Sequence, residues 1–267
     1  MRIVSLNAWG GRVFAPLMAY LIDVDADVIC LQEVVRTPAS RADWLMYRDH
    51  NIELPQRANL YAEICAALPE HDAFFAPVAR GELFDGAQSV PSEFGLATFV
   101  RRSKAVIGLT TDFIHGAFLH DGWGPHPRAR NAQAVRIFDY KGGAPITIVQ
   151  LHGLRDPAGK HDTPARLAQA DALVGLIGRI WSGNERLVVC GDFNVLPDSA
   201  TFDKLAELGL ADLVVGRGFT DTRTSLYKKP GRYADYMLVT PDVHVTCFEP
   251  VAAPEVSDHR ALVLDIA

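Results

Sequence analysis

Side chains able to do chemistry recur at one kind of place in this chain, the ends of short apolar runs. Asn7 closes IVSLN, Glu33 closes VICLQE and His152 closes TIVQLH. Asp192 and Asn194 follow LVVCG, Asp235 opens DYMLV, and Asp258 with His259 precedes RALVLDI. A strand end is a rigid mount, which a catalytic group needs. Glu33, Asp192, Asp235 and Asp258, crowded in one cleft, would repel one another unless a cation neutralised them. Oxygen ligands of this kind favour Mg²⁺ or Mn²⁺ over zinc. His152 and His259 add donors for a phosphate, and Asn194 can hold a phosphate oxygen or orient a water. The set suits metal-assisted attack of water on a phosphoester. Taken singly, the residues say less. Gly191-Asp192 also fits a tight turn whose carboxylate caps a helix, and Ser257-Asp258-His259 fits a solvated turn. Asn7, Glu33 and His152 each read equally well as structural.

The elements that must position these groups are visible as runs of Val and Ile between turn residues. Strands are predicted over Arg2–Leu6, Asp27–Leu31, Asp72–Ala76, Gly95–Arg101, Val106–Ile114, Ala134–Tyr140 and Ile146–Leu151. Further strands are predicted over Arg186–Cys190, Tyr236–Val239, Val243–Phe248 and Ala261–Ile266. Helices are predicted over Val13–Ile22, Asn59–Ala67, Pro164–Trp181 and Ala200–Glu207, the last capped by Asp198 or Ser199. The Pro164 helix carries Leu167, Ala170, Leu173, Val174, Ile177 and Trp181 on one stripe. Many strands among few helices indicate a layered α/β or α+β fold. Strand–helix–strand order occurs at the start and again from Ile146 to Cys190, which suggests two similar halves packed sheet to sheet. No linker-like stretch divides residues 1–267, so one domain is expected.

Two stretches fit this scheme poorly. Val35–Ala58 holds Arg36, Arg41, Trp44, Tyr47, Arg48 and His50, and Phe113–Asn131 holds His115, His120, Trp123, His126, Arg128 and Arg130. Long loops of this kind are usually functional or disordered, and their aromatic and basic content disfavours disorder. They are expected to wall the cleft and set substrate choice. Trp44, His115, Trp123, Arg128 and Arg130 are the candidate substrate-binding residues. His71, His161 and His244 lack such context and are expected at the surface.

Composition narrows the class. The chain has 267 residues, 49% hydrophobic and 22% charged, with a net charge of −6. That is globular composition, and it weighs against a broad, non-specific grip on nucleic acid. Cys30, Cys190 and Cys247 sit in apolar runs and are expected, with Cys65, to be buried thiols. No pair has CxxC spacing, which removes the usual structural zinc signature. The start, MRIVSLNAWGG, becomes polar too early for a signal peptide, and no apolar run approaches the roughly 20 residues of a membrane helix. A cytoplasmic protein with no membrane contact and no obligate protein partner is expected.

The motifs SLNAWG, LQEV, QLHGL, CGDFN, ADYMLV and SDHRAL, in this order, resemble the endonuclease/exonuclease/phosphatase superfamily of divalent-metal phosphohydrolases. Deoxyribonuclease I, exonuclease III-type endonucleases, inositol polyphosphate 5-phosphatases, neutral sphingomyelinases and deadenylases belong to it. The matches run from Asn7 to His259, nearly the whole chain, and GDFN with SDH is their most specific part. The resemblance implies a four-layer α/β sandwich, two mixed sheets face to face with helices outside. It implies a metal carboxylate at Glu33, supported by Asn7 and Asp258. Asp192 would orient or deprotonate the attacking water, and Asn194 would hold a phosphate oxygen. His259 would contact the scissile phosphate as an imidazolium kept charged by Asp235, with His152 as a second phosphate-facing imidazole. One departure stands out: many relatives carry Arg two residues before the Asp of the DY motif, where this chain has Tyr233, with Arg232 one step earlier.

The substrate is less legible. The longer signature of the inositol phosphatase branch is missing around Asp235. A small phosphodiester or nucleotide-type substrate and a nucleic acid fit equally well. The alternative from another class is a catalytically idle binding or scaffold protein that keeps the fold. Retention of every matched position disfavours it.

Overall fold

A computed structural model describes residues 1–49 and 52–267, so His50 lies outside the described residues. An eight-stranded sheet takes its strands from both ends of the chain. They are β1 (Arg2–Asn7), β2 (Val28–Arg36), β3 (Trp44–Asp49), β4 (Ile52–Arg57), β5 (His71–Asp85), β6 (Gln88–Arg101), β13 (Val245–Pro250) and β14 (Leu262–Ile266). Their order is β13-β14-β1-β2-β6-β5-β3-β4. A six-stranded sheet is built from β7 (Ala105–His115), β8 (Arg130–Asp139), β9 (Ala144–His152), β10 (Arg186–Asp192), β11 (Ala211–Asp212) and β12 (Asp235–Val239). Its order is β11-β12-β10-β9-β8-β7. The helices are α1 (Phe14–Asp23), α2 (Leu60–Ala67), α3 (Pro164–Gly178), α4 (Ala200–Ala206) and α5 (Leu213–Gly216).

Each sheet contains one parallel pair, β1 with β2 and β9 with β10, and a helix bridges each pair in sequence. These are the two strand–helix–strand halves expected from the sequence. Both are buried on two faces, which is why they read as continuous apolar runs. Ile3, Val28 and Cys30 point into the core shared with Val149, Val188 and Met237 of the other sheet. Their neighbours Val4, Leu6, Ile29 and Leu31 point the opposite way, onto Leu17 and Leu21 of α1 and Leu60 and Ile64 of α2. The sheet interface also carries polar contacts. Gln32 Nε2 donates to Gln150 Oε1 at 2.9 Å, and Gln150 Nε2 donates to Thr98 Oγ1 at 2.7 Å.

Several expectations are corrected. Val35–Ala58 is not a loop: Val35 and Arg36 continue β2, and β3 and β4 form a hairpin at the sheet edge. Its mixed composition and Pro55 concealed it, and an edge position tolerates both. Phe113–His115 and Arg130–Asn131 belong to β7 and β8, leaving 116–129 as the connection. On α3 the buried face is Arg166, Gln169, Ala170, Leu173, Leu176 and Ile177, while Leu167 is exposed. Apolar periodicity missed this because Arg166 and Gln169 are buried to bond backbone. Arg166 donates to the carbonyls of Leu154, Gly159 and His161, and Gln169 Oε1 accepts from Leu154 N at 2.8 Å. Thr163 caps α3 and Ser199 caps α4. His71 is buried, its Nε2 bonded to the carbonyl of Ala26, and Cys247 is exposed. All four cysteines are free thiols. Among the described residues no helix is long and apolar enough to cross a membrane.

Candidate active site

Strand register brings the candidate residues to one rim of the two sheets. In the six-stranded sheet, Asp192 at the end of β10 pairs with His152 on β9 and with Asp235 on β12. The turn beyond Asp192 demands glycine on both sides. Gly191 has φ 138°, and a Cβ there would lie 2.1 Å from the carbonyl oxygen of Leu151. A Cβ on Gly153 would lie 2.2 Å from the carbonyl oxygen of Phe193. Asn194 follows with φ 55°, and Glu33 has φ 56° within the irregular stretch of β2 between Leu31 and Val34. Left-handed backbone at two non-glycine residues of one rim is strain held by its surroundings.

Across the cleft, Asn7 Nδ2 donates to Asp192 Oδ2 at 3.0 Å, and Asn194 N donates to Asp192 Oδ1 at 3.1 Å. Ser257 Oγ donates to the carbonyl of Asn7 at 2.6 Å and accepts from His259 N at 3.2 Å. This bridge locks the Ser-Asp-His segment to the end of β1. His152 Nε2 lies 3.9 Å from Glu33 Oε1 and 3.8 Å from Asp192 Oδ2. His259 Nε2 lies 3.7 Å from Asp192 Oδ2, while Nδ1 contacts Asp235 Oδ2 at 2.8 Å. Asn7, Glu33, His152, Asp192, Asn194, Asp235, Asp258 and His259 therefore form one connected cluster.

Electrostatics follow from crowding. Withdrawal from bulk water and the charge of Asp258 push Glu33 up to about 7, although 26% of its side chain remains accessible. Burial, with Arg130 adding repulsion, puts His152 well below the usual imidazole range. His259, expected as an imidazolium, meets partners that disfavour its charge. Burial and the neighbouring Arg223 guanidinium lower it to about 4. Arg223 Nη1 packs against Nε2, and a guanidinium has donors only, so Nε2 must accept. Nδ1 then carries the proton and donates to Asp235. Asp235 orients the ring through Nδ1.

The donor chemistry fits a hard divalent cation. Asp258 Oδ1 is buried without a hydrogen-bond partner among the described residues, and Glu33 shares its negative field. A second grouping, Asp192, Asp235 and His259, presents ligand atoms within 4.8 Å of one another and could also hold a metal ion. Both Asp235 oxygens already face His259 Nδ1, so the Glu33–Asp258 side has the freer oxygens.

The five substrate-binding candidates divide. Arg130 is buried within the cluster, its Nε donating to the carbonyl of Gly153 at 2.9 Å, and it lies in the field of Glu33 and Asp192. Half-buried His115 is its ladder partner. Trp44 packs edge-on against Phe14, with Arg57 over both rings. Trp123 fills the space beside Gly81 and meets Tyr47 and Phe94. Arg128 is bonded to Tyr47 Oη at 2.8 Å and to Asp49 at 2.6 Å. The contacts of Trp44, Trp123 and Arg128 thus brace the hairpin and the 116–129 connection. Sequence reasoning missed Arg223 and Lys160. Arg223 contacts His259 and Asp258, and Lys160 lies in the field of Asp192 and Asp235. Both sit in polar connections with no apolar period to mark them.

A sequence profile described as the Endonuclease/Exonuclease/phosphatase family matches residues 4–259. Solved structures share the fold. One is an endonuclease/exonuclease/phosphatase from Bacteroides vulgatus, with TM-score 0.70 and 20% identity over 100% of this chain and 98% of that one. The catalytic domain of human Nocturnin with bound sulfate anion has TM-score 0.67 and 18% identity, covering 100% and 93%. A mannosyl-6-phosphatase of Bacteroides thetaiotaomicron VPI-5482 has TM-score 0.67 and 17% identity, covering 100% and 99%. No curated protein matches the sequence.

Proposed function

The chain belongs to the endonuclease/exonuclease/phosphatase family, and from that premise we propose that it is a divalent-metal-dependent hydrolase of phosphoester bonds. The observation that carries this reading is Asp192, fixed by donors on both oxygens and set among Glu33, His152 and His259. Fold relatives that include a mannosyl-6-phosphatase and a domain holding a sulfate anion support it. Glu33 and Asp258, with Asn7 beside them, would hold Mg²⁺ or Mn²⁺, which when bound supplies positive charge to a phosphate oxygen.

The chain's own residues perform the remaining work. Two hydrogen bonds aim Asp192, so it can take a proton from water. The water oxygen bonds to phosphorus in line as the ester P–O bond breaks, and the leaving oxygen takes its proton from solvent. Asn194 and His152 donate to phosphate oxygens. The Asp235–His259 pair lines the opposite side. Donors fixed before reaction stabilise the charge that grows on phosphorus oxygens.

Bis(p-nitrophenyl) phosphate and p-nitrophenyl phosphate, assayed with Mg²⁺, Mn²⁺ or excess chelator, test the reading. Turnover is expected with metal and not with chelator. Glu33→Gln should stay folded by circular dichroism and need at least about tenfold more metal for half-maximal rate. Full activity in chelator would overturn the metal dependence.

A further inference from the structure

Arg223 is a buried cation built into the cleft, only 5% exposed. Its backbone forms a β-bridge with His259, and its guanidinium stacks 4.2 Å from the Tyr227 ring centroid. Nη1 lies 3.3 Å from Asp258 Oδ2 and packs on His259 Nε2. Nε is buried with no hydrogen-bond partner among the described residues, so the group holds an unspent donor. Asp235, His259 and Arg223 therefore form a carboxylate–imidazole–guanidinium chain that ends in a fixed positive charge. Lys160 stands nearby, its ammonium donating to the carbonyl of Tyr233 with further donors to spare.

Charge points to a ligand. Arg12, Arg130, Lys160 and Arg223 act on Glu33, Asp192, Asp235 and Asp258, and Arg155 lies in the field of His152, so with a divalent ion the cleft carries a positive surplus. A phosphomonoester brings two negative charges above pH 7, against one for a diester. A nucleic-acid track would need cations spread over the surface. Here three of the arginines outside the cluster are spent: Arg36 pairs with Glu93 at 3.3 Å, Arg48 with Glu53 at 3.0 Å and Arg128 with Asp49 at 2.6 Å.

We propose that Arg223 and Lys160 clamp the non-bridging oxygens of a terminal phosphate, making phosphomonoesters the substrate class. This rests on the hydrolase reading. Water adds its oxygen to phosphorus, the single ester P–O bond breaks, and an alcohol and inorganic phosphate leave.

The test compares p-nitrophenyl phosphate with bis(p-nitrophenyl) phosphate at pH 8 in Mg²⁺ or Mn²⁺. Wild type should favour the monoester. Arg223→Met and Lys160→Met should each lower kcat/KM for the monoester by about 10²-fold, a loss at least about tenfold larger than for the diester. Arg223→Lys, which keeps the charge and loses the planar fork, should fall between. If Arg223→Met does not fold, Lys160→Met and Arg223→Lys carry the comparison. A better rate on the diester, or equal loss on both esters, overturns the clamp. Should neither ester react with any divalent ion, the hydrolase reading fails and calorimetry still decides the clamp. Inorganic phosphate should bind at least about tenfold tighter than dimethyl phosphate, with the gap closing in Lys160→Met. Equal binding of the two probes, or of neither, refutes it.

Discussion

At the scale of single residues, the cleft works by coupling rather than by isolated groups. Asp235 reaches the reacting centre only through His259, to which it is bonded at 2.8 Å. Removing the ring also strips Arg223 of the acceptor that orients it. His259→Ala should therefore lower kcat by about 10²-fold or more, and Asp235→Asn by less. Groups that act as one unit do not add. The double variant His259→Ala/Asp235→Asn should be little slower than His259→Ala alone. Steady-state kinetics on all three variants check this, and losses that multiply would separate the two residues. Pairing of a carboxylate with a histidine is visible as a motif, whereas a guanidinium arriving from residue 223 is not.

At the scale of elements, β-strands present the chemistry and one helix holds a wall. The segment between β9 and α3 carries Arg155 and Lys160 and has little regular structure. Arg166, 1% exposed, pins it from below through three carbonyls. Arg166→Ala leaves the buried carbonyl of Leu154 and the partly buried ones of Gly159 and His161 without a donor, at about 1–3 kcal/mol for a buried group. A loss of about 3 kcal/mol in unfolding free energy is expected. Denaturant melts measure it, and a loss under about 1 kcal/mol would show that the loop holds itself. The same buried arginine explains why α3 was misjudged, since apolar spacing finds faces that pack and overlooks those that bond backbone.

At the scale of the whole molecule, ion pairs join segments far apart in the chain. Asp139 on β8 bonds Lys104 at 3.0 Å and lies 3.7 Å from Arg186. Burial raises its carboxyl, but Lys104 and Arg186 outweigh burial and set it below the ordinary value. A depressed carboxylate contributes stability above its unfolded pKa of about 3.9 and loses it as pH falls through the folded value. Asp139→Asn should thus be less stable than wild type at pH 7, by about 3 kcal/mol for a buried pair broken on one side. The gap should narrow as pH falls below about 3.9. Thermal melts of both proteins from pH 7 to pH 2.5 decide it, and a gap independent of pH would remove the charge from the explanation.

Local pattern alone determined a good deal: the apolar strands, their polar ends, two strand–helix–strand halves, and the motif order that marks the family. These features depend on neighbours two to four residues apart, through side-chain alternation and turn chemistry. Tertiary structure decided what depends on register and distant approach. Asn7 reaches Asp192 across 185 positions, and Ser257 ties its carbonyl from 250 away. The β3–β4 hairpin gains its place from a sheet edge rather than from its own propensity. Arg223 finds His259 only when two loops meet, and that meeting sets a guanidinium against the imidazole. No spacing in one chain encodes such an encounter, because its free energy arises only when both partners leave water together.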